Sequence, residues 1–172
     1  YQFRQYWIQL PDEDVERFLM QLTLRPVDEI AAIVAEHRAS PEKRVAQRAL
    51  AHDVTSLVHG DAAESAAAEA ADVLFGGDPT TASQAALEAV AREVPSSSMS
   101  REQLSDLIGV LTTTQLAPSN SDARRTLSQK GFRVNGSVID DGATLADVPL
   151  LHGRYLLLRR GKTQHHLVRV EG

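Results

Sequence analysis

Cysteine is absent from the 172 residues, which excludes disulfides and thiolate metal sites and suits a reducing compartment. No apolar run approaches the ~20 residues that a membrane-spanning helix needs. No signal-peptide pattern opens the chain either, so a cytoplasmic location and no membrane partner are expected. No nucleophile elbow or paired-carboxylate motif surrounds any serine or acid, so no catalytic residue is assigned. The histidines lack the spacing of a zinc site: His52 and His59 stand seven apart, and His165 and His166 are strand neighbours that face opposite ways.

What is present is an ordinary globular composition, 42% hydrophobic and 24% charged, long enough for one large or two small domains. Positive charge is in overall deficit, with 18 Lys and Arg against 23 Asp and Glu. The deficit is unevenly placed. Residues 1–95 hold 8 Lys and Arg against 16 Asp and Glu, whereas residues 96–172 hold 10 against 7. A basic module behind an acidic one points to a polyanion partner for the second half only. The chain opens on Tyr1 inside "YQFRQYWIQL", which already reads as ordered structure, so it reads as part of something longer.

The first half carries helical periodicity and no strand signal. Val15, Phe18, Leu19 and Leu22 fall at i, i+3, i+4, i+7 behind Pro11 and an acidic first turn, Asp12, Glu13 and Asp14. A second stripe runs through Val27, Ile30, Ile33 and Val34 after Pro26. Ser40 and Pro41 open a third helix with Val45, Ala49, Leu50, Val54, Leu57 and Val58 inside, stopped by Gly60. The alanine-rich "AAESAAAEAADVLF" ends at Gly76-Gly77, and a last helix spans roughly 81–93. Tyr1, Phe3, Tyr6 and Trp7 read as helix core.

"VPSSSMS" has little apolar surface and reads as a loose boundary. Beyond it, Ser100 with Gln103 makes a capping box for a helix carrying Leu104, Leu107, Ile108 and Leu111, and Ser119 with Asp122 repeats the spacing. Asn135-Gly136 is a strong hairpin signal, and "RYLLLRR" and "HLVRV" read as two strands joined at Gly161-Lys162. The expected class is α+β: an all-α helical domain over 1–95, a linker and helix cap over 96–103, and a small α+β domain with antiparallel hairpins over 104–172.

The stretch "LAPSNSDARRTLSQKGFRVNG" carries the functional signal. A capped helix displays Arg124, Arg125 and Lys130 and leads through Gly131 into a hairpin bearing Arg133. Cations and free N–H groups at a helix start form a phosphate-binding surface; a merely solvated helix face is the competing reading. The stretch resembles the RNA-binding domain named for small-subunit ribosomal protein S-four, whose core is S-x-S-x-A-R-R, a helix, and a glycine before V-N-G. With "VERFLMQLT", "AQRALAHDVTSLVHG" and "HGRYLLLRRGKTQHHLVRV", nearly the whole chain resembles the C-terminal half of bacterial tyrosyl-tRNA synthetase.

That resemblance implies an S-four-like second domain that binds tRNA for tyrosine. The implied contacts come from Ser119, Ser121, Arg124, Arg125, Lys130, Arg133 and Asn135, and from Arg159, Arg160 and Lys162 projecting toward one phosphate track. It implies that the helical domain reads the anticodon arm, with Asp12 or Asp14 accepting a base amino group. It also implies a class I ligase as the parent, using ATP and Mg²⁺ on a catalytic domain upstream, which forms the homodimer. HIGH-type and KMSKS motifs do not occur in this sequence, so the isolated chain is expected to be inactive, monomeric and without a cofactor. A ribosome-associated factor or pseudouridine synthase of S-four type is an alternative, although such proteins lack the preceding helical domain. A protein–protein module with an incidental basic face is the other.

Overall fold

The computed structural model describes residues 1–171 and divides into two compact units, Tyr1–Ala68 and Glu69–Gly172. The sequence reading put its boundary at 95/96 instead.

The first unit holds α1 (Gln2–Ile8), α2 (Asp12–Leu22), α3 (Val27–Ala39), α4 (Val45–His59) and the start of α5 (Asp61–Leu74). Its core is Val15, Leu19, Ile30, Val34, Leu50 and Val54, with Leu10 and Ala46, so the inner positions of each apolar stripe are the buried ones. The stripes are narrower than expected, since Val27 is 65% and Leu57 67% exposed. Of the aromatic residues of α1, Trp7 packs half-buried against this core, whereas Phe3 and Tyr6 are exposed. The rings form an edge-to-face series, Phe3–Trp7 at 6.0 Å and Trp7–Phe18 at 5.9 Å between centroids. Ser40 opens a 3-10 turn, Pro41–Lys43, and Arg44 at φ 51° separates it from α4. The Arg44 guanidinium donates to the carbonyls of Ile8 and Leu10, tying the α1–α2 link to the start of α4.

The second unit continues from α5 through α6 (Gln84–Glu93), β1 (Ser96–Ser100), α7 (Leu107–Thr113), α8 (Asn120–Ser128), β2 (Phe132–Val134), β3 (Ser137–Val138), β4 (Tyr155–Arg160) and β5 (Gln164–Glu171). The sheet order is β1-β5-β4-β2-β3. Both expected hairpins are antiparallel, but β1 joins β5 in parallel, Ser96 opposite Leu167 and Ser100 opposite Glu171. The serine stretch is therefore an edge strand and not a linker. Its polar residues suit an edge, and Met99, 4% exposed, anchors it in the core.

Strand alternation sorts the sheet into two faces. Phe132, Val134, Leu156, Leu158 and Val168 share one face and pack with Leu107, Leu111, Ala123 and Leu127 of α7 and α8. The Asn135–Gly136 turn has φ of 47° and 86°, the left-handed pair that a two-residue hairpin requires. The Ser100/Gln103 box closes in both directions, at 2.8 and 3.3 Å, over a 3-10 turn, Gln103–Ser105. The next helix, α7, takes its cap from Asp106.

Candidate nucleic-acid interface

Ser119 precedes α8 and its hydroxyl accepts the Asp122 N–H at 3.2 Å, as a helix cap should. The return half of the expected capping box is missing, because the Asp122 carboxylate turns elsewhere. Its Oδ1 accepts from Arg125 Nη2 at 2.6 Å, and its Oδ2 lies 2.8 Å from Arg160 Nη1. The second contact is an ion pair without hydrogen-bond alignment, and one of the two Nη1 hydrogens goes to the Leu116 carbonyl at 2.8 Å. Burial pushes the Asp122 carboxyl up, but the Arg160 and Arg125 guanidinium groups outweigh it and hold it below its ordinary value.

The helix ends at Ser128, and Lys130, φ 55°, turns the chain away from it before Gly131. A Cβ at Gly131 would stand 2.6 Å from Thr126 Cγ2, so the close return of the chain past α8 needs glycine there. The Gly131 carbonyl accepts the Gly161 N–H at 3.0 Å, which stitches the end of α8 to the β4–β5 turn. Between them opens a polar cleft of about 370 Å³ lined by Arg125, Thr126, Gln129, Gly131, Arg160 and Gly161. Lys130 and Lys162, both exposed, follow the chain on either side of the stitch. A larger cleft of about 620 Å³ lies between the β2–β3 hairpin and the 139–152 loop, but most of its lining residues are apolar and none is Lys or Arg.

The sequence-derived residues thus separate into distinct sets. Arg125 and Arg160 line the polar cleft, and Lys130 and Lys162 are the exposed chain neighbours of its Gly131 and Gly161. Ser121 and Arg124 are exposed on α8. Arg159 and Arg160 do not share a track, because adjacent strand residues point to opposite faces. Arg160 sits over the Phe132 ring at 5.7 Å and also donates to Thr126 Oγ1 at 3.2 Å. Arg159 lies opposite Arg133 and His165 on the other face, and Arg133 donates to the Gly136 carbonyl at 2.8 Å. Asn135 is turned inward, 9% exposed, with its amide donating to the Pro149 carbonyl and accepting the Leu157 N–H, each at 2.9 Å. Its side chain is spent on the fold.

Two further residues belong to the helical unit. Asp12 accepts from Gln47 Nε2 at 2.6 Å and lies 3.1 Å from His37 Nε2. Asp14 accepts from Arg17 at 2.9 Å. The residues that sequence reasoning missed are Asp122 as an ion-pair centre, Thr126, Gln129 and Gly161. Their roles arise where α8 meets β4, and no local pattern encodes that meeting. Among the described residues no group of three His, Asp or Glu side chains has the arrangement of a metal site, and no helix is long and apolar enough to cross a membrane.

Residues 86–168 match the family model described as tyrosine--tRNA ligase SYY-like C-terminal domain, and residues 1–76 match tRNA synthetases class I (W and Y). A tyrosine--tRNA ligase of Anaeromyxobacter dehalogenans strain 2CP-1 is 42% identical over 174 residues, covering 99% of this chain and 41% of that protein. One from Kineococcus radiotolerans is 42% identical over 164 residues, covering 94% and 39%. Among solved structures, a C-terminally truncated Aspergillus nidulans mitochondrial tyrosyl-tRNA synthetase is 37% identical over 42% of this chain and 22% of its own, with a TM-score of 0.41. The chain spans about two fifths of the length of the curated relatives it matches.

Proposed function

We propose that this chain, which belongs to the tyrosine–tRNA ligase family, is the part of such an enzyme that grips tRNA for tyrosine, in the cytoplasm. In this reading the basic unit holds phosphates of the long variable arm, and the helical unit meets the anticodon arm. The enzyme attaches tyrosine to the tRNA 3′ end with ATP and Mg²⁺. Neither HIGH-type nor KMSKS residues occur in this sequence, so those groups would be held on an upstream catalytic domain, which also forms the homodimer.

The observation that carries the proposal is the Gly161–Gly131 stitch, which supports one continuous basic rim from two distant segments. Arg125, Lys130 and Lys162 line or flank it with donors exposed. A Cβ at Gly161 would meet nothing within 4 Å, and that open space leaves room for a phosphate to approach. An RNA grip of this kind is steeply salt-dependent, because each phosphate contact releases condensed counterions. The test is anisotropy of labelled tRNA for tyrosine with the 172-residue chain across a salt series. A steep fall in affinity is expected, with no ATP–pyrophosphate exchange by the chain alone. Binding that ignores salt, or no binding, would remove the proposal.

A further inference from the structure

We propose that Asp122 is a positioning residue for the RNA-binding cleft. It fixes the direction in which Arg125 presents its free N–H edge, using Arg160 as the anchor. The inference rests on the reading of this cleft as an RNA grip.

The anchor is well defined. Arg160 Nη1 donates to the Leu116 carbonyl, Nη2 donates to Thr126 Oγ1, and the guanidinium lies over Phe132. Its side chain retains 26% exposure, and Asp122 beside it retains 12%. Arg125 differs: its side chain is 69% exposed and has one hydrogen bond to Asp122, through Nη2. The three groups form a line from a fixed cation, through a nearly enclosed carboxylate, to a cation open to solvent. An i,i+3 pair at a surface contributes little to stability by itself. Here the carboxylate is held from behind, so it acts as a fixed stop for a long and otherwise mobile side chain. Ordering that side chain during folding removes part of the ordering cost of binding.

Simple electrostatics gives the opposite sign. A carboxylate beside a cleft that receives phosphate is repulsive, so removing it should tighten binding. If Asp122 orients Arg125, removing its charge weakens binding although the face gains positive charge. Asp122→Asn, nearly the same shape, should bind tRNA for tyrosine about two- to tenfold more weakly, the scale of freeing one long side chain. Because Asp122 acts through Arg125, the double variant with Arg125→Ala should bind no more weakly than Arg125→Ala alone.

The experiment measures tRNA binding at fixed salt for the 172-residue chain, the two single variants and the double variant. Guanidinium NMR of the unbound chain runs beside it. The expected result is weaker binding by Asp122→Asn, non-additive with Arg125→Ala, and a slowly rotating Arg125 guanidinium in the unaltered chain that averages in Asp122→Asn. Equal or tighter binding by Asp122→Asn overturns the inference, as does an additive double variant. Rapid averaging of Arg125 in the unaltered chain overturns it too, whether or not Asp122→Asn folds. Failure of the unaltered chain to bind tRNA would sink the functional reading instead.

Discussion

The backbone N–H of Gly161 donates to the carbonyl of Gly131 at 3.0 Å, joining residues thirty positions apart in sequence. Lys130 and Lys162 each adjoin one end of that bond. Two basic segments that look separate along the chain therefore share one rim.

Arg160 and Arg124 should behave as opposites in folding. Arg160→Ala removes hydrogen bonds to Leu116 and Thr126 and leaves the Asp122 carboxylate short of a cation. A loss of roughly 1–3 kcal/mol is expected. Arg124, exposed on α8, should tolerate Ala within about 0.5 kcal/mol. Urea unfolding of the two variants decides it, and similar midpoints would mean that Arg160 is not built into the fold.

Phosphate contacts should show in the salt dependence of tRNA binding. Arg124→Ala and Lys162→Ala should each reduce the slope of log affinity against log salt by about one unit or slightly less. They should weaken related RNAs alike, since phosphates carry no sequence. Arg169→Ala, on β5 away from the cleft, is the control. Slopes unchanged in all three variants would take Arg124 and Lys162 off the binding surface.

Asn135 should matter to the fold and not to the RNA. Asn135→Gly keeps the left-handed turn but deletes both hydrogen bonds of the side chain, to Pro149 and Leu157. A destabilisation of about 1–3 kcal/mol is expected, with the salt slope of tRNA binding preserved. A stable variant with a reduced slope would return Asn135 to the interface.

Two histidines make stability depend on pH. Burial lowers the pKa of His165 below its usual value, against a hydrogen bond to the Thr163 carbonyl and with help from the Arg159 charge. Burial lowers His166 likewise, against the Thr114 backbone, while its Nε2 lies 2.9 Å from Ser97 Oγ. An unfolded histidine titrates near pH ~6.5. As pH falls below that value the unfolded chain takes up protons that the folded chain refuses, so stability drops from there toward the lowered folded values. The melting temperature should therefore be lower at pH 5.5 than at pH 7.5, and the double variant His165→Gln/His166→Gln should narrow the difference. An equal difference in that variant would assign the effect to other groups.

Legibility in the sequence followed range. The Asn135–Gly136 turn and the Ser100/Gln103 box are settled by residues within three positions of each other, and both formed. The box closes over a 3-10 turn, however, and Asp106 caps the helix expected behind it. The inner stripe of α2 was equally plain, because Val15 and Leu19 answer to helical period alone. Strand β1 was hidden, since "SSSMS" has no apolar alternation and owes its pairing to β5, about seventy residues away. The aromatic residues of α1 misled in part: Trp7 does pack against the core, but Phe3 and Tyr6 lie exposed beside it. The cleft was half legible. Its cations were visible in "ARR" and "RRGK", but the inward turn of Arg160 depends on Leu116, Asp122 and Thr126 arriving beside it.

The position of β5 also sets an order of events. It is the last described strand to be synthesised, yet it lies between β1 and β4. A nascent chain that has made everything through Arg160 has a first strand with no neighbour and a fourth with an open edge. Sheet completion must therefore wait for Gln164–Glu171 to leave the ribosome, and closing so long a loop is slow. The turn at residues 161–163 takes shape in that same step. The basic rim is thus assembled only after β5 has emerged, and a shorter nascent chain cannot yet hold RNA with it.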